Sequence, residues 1–185
     1  MSLRWLPNAI TIARLLSALP LLWLLRGQAY QAAFWLAVVA GASDALDGFL
    51  AKHFDWRSAL GGMLDPLADK LLINSCFVGL WWTAHVPNWL LALIMGRDVV
   101  VLFGAWIWWR MLGAFKPTPS LLSKLTTTVQ LVLAAVLLAH LAMAWFTDAA
   151  LQALILACAV LTLASGMDYV LRYGRRAWRL RKERT

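Results

Sequence analysis

The sequence predicts an all-α polytopic membrane protein, six transmembrane helices enclosing a polar site open to the cytoplasmic side, and three observations carry that prediction. Hydrophobic residues make up 62% of the 185 positions and charged residues 14%, too apolar a balance for a soluble fold. Apolar runs of about 20 residues, the length that crosses a hydrocarbon core of about 30 Å, recur along the whole chain. Basic residues gather at the N-terminus, at Lys52–Arg57, at Arg110–Lys124 and in the tail, whereas the intervening connections offer only Arg26. By the positive-inside rule both termini then face the cytoplasm, which places the chain in a bacterial inner membrane or its equivalent. A single membrane domain, 1–185, with a basic tail at 174–185 is expected.

The first run, Leu6–Leu25, lacks a small-residue cleavage site and is interrupted by Arg14, so it reads as a retained span rather than a signal peptide. Pro7 suits its opening turn, where a missing backbone donor costs nothing. Asn8, Thr11 and Arg14 fall on one face, as helix capping and interhelix glue or as ligand contacts, and Arg14 has no partner nearby in sequence. The second span, about Tyr30–His53, carries the small residues Ala40 to Ser43, which let a neighbouring helix approach closely. After a polar connection at Phe54–Leu60, a third span runs from about Gly61 to Ala84.

The fourth span, about Trp89–Met111, holds Arg97 beside Asp98, either a self-satisfied pair or a cation facing a polar cavity. A loop containing Lys116, Pro117 and Pro119 leads to the fifth span, which ends near Phe146. There Lys124, Thr127 and Gln130 form a helical stripe that either lines a cavity or lets Lys124 snorkel to the interface. The sixth span, about Ala149–Tyr173, contains Asp168, whose partner the sequence leaves open. The formal net charge of +8 comes largely from the tail beyond it, which reads as an anionic-lipid contact, with no module for nucleic acid. Cys76 and Cys158 lie in apolar runs as packing residues, and the many tryptophans suit interfacial belts.

Against this background the stretch SDALDGFLAKHFDWRSALGGMLDPLADK, residues 43–70, is the anomaly. Asp44 and Asp47 are three apart and Asp65 and Asp69 four apart, so each pair shares one face of an apolar helix. A mid-membrane Asp costs roughly 2.5–3.5 kcal/mol, so the group needs compensation. Lys52, Arg57 and Lys70 are the nearby cations, and none is placed to neutralise the cluster. Divalent cations would, and all-oxygen ligation suits Mg²⁺, Mn²⁺ or Ca²⁺ better than zinc. Gly48, Gly61 and Gly62 allow either a bulky ligand or a neighbouring helix close to the backbone.

The pattern Asp44-x2-Asp47-Gly48-x2-Ala51-Lys52-x8-Gly61-x3-Asp65-x3-Asp69 resembles the signature of the CDP-alcohol phosphatidyltransferase family, with Lys52 where that family usually has Arg. Pro7, Asn8, Thr11 and Arg14 resemble an opening shared by phosphatidylglycerophosphate and cardiolipin synthases, and Ser123, Lys124, Thr127 and Gln130 resemble a second shared segment. The resemblance implies two divalent cations, Mg²⁺ or Mn²⁺, held by Asp44, Asp47, Asp65 and Asp69, with Asp69 as the base that deprotonates an alcohol acceptor. It implies that Asn8, Thr11, Arg14, Gly48, Lys52 and Gly61 contact a CDP-lipid, that Arg97 and Lys124 contact the acceptor, and that the protein is a homodimer among membrane lipids.

Arg57 to Lys70, Arg97–Asp98–Val99, Pro117 to Lys124 and Tyr173–Gly174–Arg175 look most like the members that pass the phosphatidyl group of CDP-diacylglycerol to phosphatidylglycerol, giving cardiolipin and CMP. The alternative is glycerol 3-phosphate as acceptor. An ion or proton transporter using the acidic cluster as a relay is the reading from another class, disfavoured by the lack of an internal repeat.

Overall fold

The computed structural model describes the backbone of residues 6–53, 59–112 and 120–182, and side chains over these ranges except at 6–7, 45, 47–63, 109, 111–112 and 175–182. Every regular element among them is a helix: α1 (Leu6–Arg26), α2 (Tyr30–His53), α3 (Ala59–Trp82), α4 (Asn88–Leu112), α5 (Leu121–Met143) and α6 (Asp148–Lys182). Among the described residues, stretches long and apolar enough to cross a membrane lie in α1, α4, α5 and α6.

Most boundaries fall within a few residues of the sequence expectation. The fifth helix stops at Met143 rather than near Phe146, because Ala144 takes a left-handed conformation (φ 53°). Asp148 opens α6, where a carboxylate suits the positive end of the helix dipole. Beyond Tyr173 the helix continues without a break to Lys182, so the basic tail is largely an extension of α6.

The short connections after α1 and α3 are built alike. Gln28 (φ 56°) and Ala84 (φ 61°) sit in the left-handed region just past the helix ends. The amide of Gln28 donates to Leu25 O at 3.0 Å and that of Ala29 to Leu24 O at 2.9 Å; Ala84 and His85 repeat the arrangement onto Trp81 O and Leu80 O, both at 2.9 Å. These are Schellman closures, which satisfy the last carbonyls and reverse the chain in a few residues.

The chain divides into two compact units, one of residues 1–87 and 134–147, the other of residues 88–133 and 148–185. In the first, α1 packs against both α2 and α3. Its buried stripe, Thr11, Arg14, Ala18, Leu21 and Leu25, advances by three and four residues, the spacing of a helix seam. Ala33 and Ala40 give α2 a shallow face, so the close approach expected at 40–43 begins earlier and includes only Ala40 of that group among the buried residues. On α3, Ala68, Cys76, Phe77 and Leu80 are buried, and Gly79 lies against Leu25.

In the second unit α4 and α6 run parallel, since contacts advance along both together: Arg97 with Ser165, Val101 with Tyr169, Trp108 with Tyr173. The first part of α5 joins them through polar bonds. Thr126 Oγ1 donates to Leu161 O at 3.0 Å and Gln130 Nε2 to Thr162 Oγ1 at 3.2 Å. Such bonds hold apolar helices together where burial of carbon gives no preference for protein over lipid.

The α1–α3 contact generates a test. A Cβ on Gly79 would lie 2.9 Å from Leu25 Cβ and 2.5 Å from Leu25 Cδ1, whereas one on Gly41 would meet nothing within 4 Å. Gly79→Val is expected to destabilise the protein by about 1–3 kcal/mol, the usual cost of overpacking, while Gly41→Ala leaves stability unchanged or slightly raised. Thermal unfolding in detergent reads both.

Candidate active site

The acidic pairs lie in phase with the packing seams. On α2, Asp44 follows Ala33 and Ala40 at helical spacing, and on α3, Asp65 and Asp69 precede Ile73, Cys76 and Leu80 on the same stripe. Both helices therefore turn their carboxylates toward α1, the helix they share as neighbour. The α1 seam continues upward from Ala18 into Arg14 and Thr11, so its polar end meets the acids.

The contacts are specific. Arg14 Nη1 donates to Oδ1 of Asp44 in a short charge-assisted bond and to Oδ1 of Asp69 at 2.6 Å. Thr11 Oγ1 donates to Asp65 Oδ1 at 2.7 Å. The Arg14 side chain is 1% exposed, against 47% for Asp44 and 44% for Asp69. A buried guanidinium thus lies beneath carboxylates that stay open on their other side. Arg14, which both carboxylates accept from, lies 30 positions before Asp44 and 55 before Asp69 in the chain.

The structure brings Thr11, Arg14, Asp44, Asp65 and Asp69 together, and Asn8 is half-buried one turn earlier on α1. The side chain of Asp47, with Gly48, Lys52 and Gly61, lies outside the described residues. Among the described residues no three His, Cys, Asp or Glu form a group that could hold a metal ion. The donor chemistry nonetheless fits a hard divalent cation: the carboxylates are all-oxygen ligands, and two of them already converge on one cationic nitrogen.

Arg97 closes on its own surroundings. Its Nη1 donates to Asp98 Oδ1 at 3.1 Å, and its Nη2 to Ser123 Oγ at 2.6 Å and Ser165 Oγ at 3.1 Å. Arg97 is thus paired with Asp98 as one of the two sequence readings has it, and its Nε is buried without a hydrogen-bond partner among the described residues. Arg97 also lines an apolar groove of about 450 Å³ between α4 and α6, with Gly96, Val100, Leu163, Gly166 and Met167 along its walls. Ser165 was not marked by the sequence, since a lone serine in an apolar run carries no distinguishing signal.

The α5 stripe divides by role. Lys124 is exposed, Thr127 Oγ1 donates back to Ser123 O at 3.2 Å, and Gln130 is buried against α6. Asp168, left open in sequence, pairs with Arg172 one turn on, Nε to Oδ1 at 2.5 Å.

Comparison with known proteins bears on this arrangement. The family model described as CDP-alcohol phosphatidyltransferase matches residues 4–170. A human protein named cardiolipin synthase (CMP-forming) is 33% identical over 96% of this chain, which covers 64% of the human protein. A Streptomyces coelicolor protein of the same name is 38% identical over 52% of this chain and 48% of its own length. An Aquifex aeolicus protein named CDP-diacylglycerol–glycerol-3-phosphate 3-phosphatidyltransferase is 27% identical over 90% of this chain and 94% of its own. The chain spans less than two thirds of the length of the human and Streptomyces relatives. With a family match that runs through both acidic pairs and both units, the chain belongs to the CDP-alcohol phosphatidyltransferase family.

Proposed function

We propose that this protein transfers the phosphatidyl group of CDP-diacylglycerol to a hydroxyl of phosphatidylglycerol, forming cardiolipin and releasing CMP. The convergence of Asp44, Asp65 and Asp69 onto one buried face of α1 carries the reading, because three carboxylates from two apolar helices are costly unless they serve a cationic, phosphate-handling site. Family membership supplies the reaction class, and the names of the human and Streptomyces relatives favour a lipid acceptor. The Aquifex relative, matched over nearly its full length, supports glycerol 3-phosphate as the second reading.

In this mechanism Asp44, Asp47, Asp65 and Asp69 hold two divalent cations, Mg²⁺ or Mn²⁺. When bound, such ions polarise the diphosphate and stabilise the departing phosphate. Asp69 takes the proton from the acceptor hydroxyl, whose oxygen forms the new bond to the phosphatidyl phosphorus. The bond from that phosphorus to the bridging oxygen breaks, and CMP leaves with the electron pair. Gly48, Gly61, Lys52 and Asn8 line the CDP-lipid side, and Arg97 and Lys124 serve the acceptor. His85 lies in the turn between α3 and α4, against Tyr30, and takes no part in the acidic group.

The groove beside Arg97 supports an acceptor that brings hydrocarbon with it. It extends over Ala92–Val100 of α4 and Thr162–Leu171 of α6. At 1.5 Å per residue that is about 12–14 Å, close to half the hydrocarbon thickness of a bilayer. Orientation with the site and both termini toward the cytoplasm, and assembly as a homodimer, belong to the same proposal.

Three outcomes are expected. Purified protein given CDP-diacylglycerol, Mg²⁺ or Mn²⁺ and a panel of acceptors releases CMP with phosphatidylglycerol and yields a product of cardiolipin mass; release with glycerol 3-phosphate alone establishes the second reading, and silence across the panel from folded protein overturns the class. Asp69→Asn lowers turnover at least about 100-fold, as loss of a general base does, while CDP-lipid binding persists. A Cβ on Gly96 would meet nothing within 4 Å, so Gly96→Leu fills the groove without a backbone clash. It is expected to raise KM for phosphatidylglycerol and leave that for CDP-diacylglycerol unchanged.

A further inference from the structure

We infer that Thr11 and Arg14 are positioning residues of the acidic site, orienting the metal-binding carboxylates from behind rather than touching the diphosphate of the substrate. The inference rests on the metal reading above and assigns to α1 a role distinct from the substrate contact its sequence suggests.

Three features of the geometry carry it. First, three bonds from α1 to the acids take Oδ1: Thr11 to Asp65, Arg14 to Asp44 and Arg14 to Asp69. The oxygen committed in each bond is the same one, so rotation of each carboxylate about its Cβ–Cγ bond is restrained and its Oδ2 is set to the other side. Second, the donors are buried and the acceptors are not. Thr11 is 2% exposed and the Arg14 side chain 1%, whereas nearly half of the Asp44 and Asp69 side chains is open. An incoming ion meets oxygen first, and Arg14 would have to break two charge-assisted bonds to reach a substrate on the open side.

Third, the charges balance better with Arg14 in place. With Asp44, Asp47, Asp65 and Asp69 as the proposed ligands, four carboxylates against the Arg14 guanidinium give a formal charge of −3. Two divalent cations turn this to +1, which favours an anionic diphosphate, whereas without Arg14 the loaded site is neutral. Thr11 contributes no charge, so its part is purely directional. Partners behind the ligating groups fix metal ligands in this way generally, and their loss typically weakens metal affinity about 10–100-fold.

The test measures Mn²⁺ directly, through the free-ion electron paramagnetic resonance signal, with purified full-length protein in detergent and no nucleotide. Thr11→Val removes only the hydroxyl, and Arg14→Lys keeps the charge but loses the fixed guanidinium geometry. Each is expected to weaken Mn²⁺ binding about 10–100-fold. Thr11→Ser retains the donor and is expected to bind as the wild type does. Thermal unfolding of each variant separates loss of a ligand orientation from loss of the fold, and the Arg14→Lys result stands if Thr11→Val does not fold.

Unchanged Mn²⁺ affinity in Thr11→Val and Arg14→Lys, with weaker binding of CDP, overturns the inference and returns both residues to the substrate. A wild-type protein that takes up no Mn²⁺ in a saturable way overturns the metal reading itself, and the acceptor panel then shows whether the transfer reaction survives it.

Discussion

The contact on which the site depends is a single guanidinium nitrogen shared by two aspartates from different helices. Asp44 and Asp69 each lie on the face of an apolar helix that packs against α1, and Arg14 holds one oxygen of both. Two like charges that converge on one nitrogen repel each other, and the buried guanidinium would itself be costly without a partner. Placing the cation between them turns repulsion into a bridge that ties α2 to α3 through α1. The packing of this unit and the shape of its acidic group are consequently one arrangement.

The same economy appears in the seams. On α1 the stripe that buries Leu25, Leu21 and Ala18 continues without a change of register into Arg14 and Thr11. The small residues Ala33 and Ala40 on α2, and Gly79 on α3, allow the helices to approach closely enough for short polar side chains to reach one another. Thr11 has a reach of one bond beyond Cβ, so its 2.7 Å contact with Asp65 requires that closeness. Packing at one end of the bundle thereby fixes chemistry at the other.

The second unit solves a different problem with similar means. Arg97 and Asp98 are adjacent in sequence and buried, and two serines from α5 and α6 complete the guanidinium's bonding. Thr126, Gln130 and Thr162 add further bonds between α5 and α6. In lipid, where carbon gains little by burial against carbon, such bonds and close fits decide which helix faces meet. They leave α4 and α6 parallel, with a glycine-walled groove between them.

The helical class, the approximate helix boundaries and the acidic group were legible in the order of residues, because each rests on local properties: runs of apolar side chains, spacing of three and four, and charged residues where none are expected. Asp44, Asp65 and Asp69 stood out for that reason. What the chain order left undecided were partners. Arg14 could pair with carboxylates or a diphosphate, Arg97 with Asp98 or an acceptor, and Asp168 with any of several cations, since helical periodicity gives the face a residue occupies but not the neighbour across from it. The fold supplies the protein neighbours: α1 lies against both acidic helices, Ser123 and Ser165 close around Arg97, and Arg172 stands one turn from Asp168. Long-range pairing is a property of how helices are placed in space, and only the folded chain brings positions 30 and 55 residues apart within a hydrogen bond of each other.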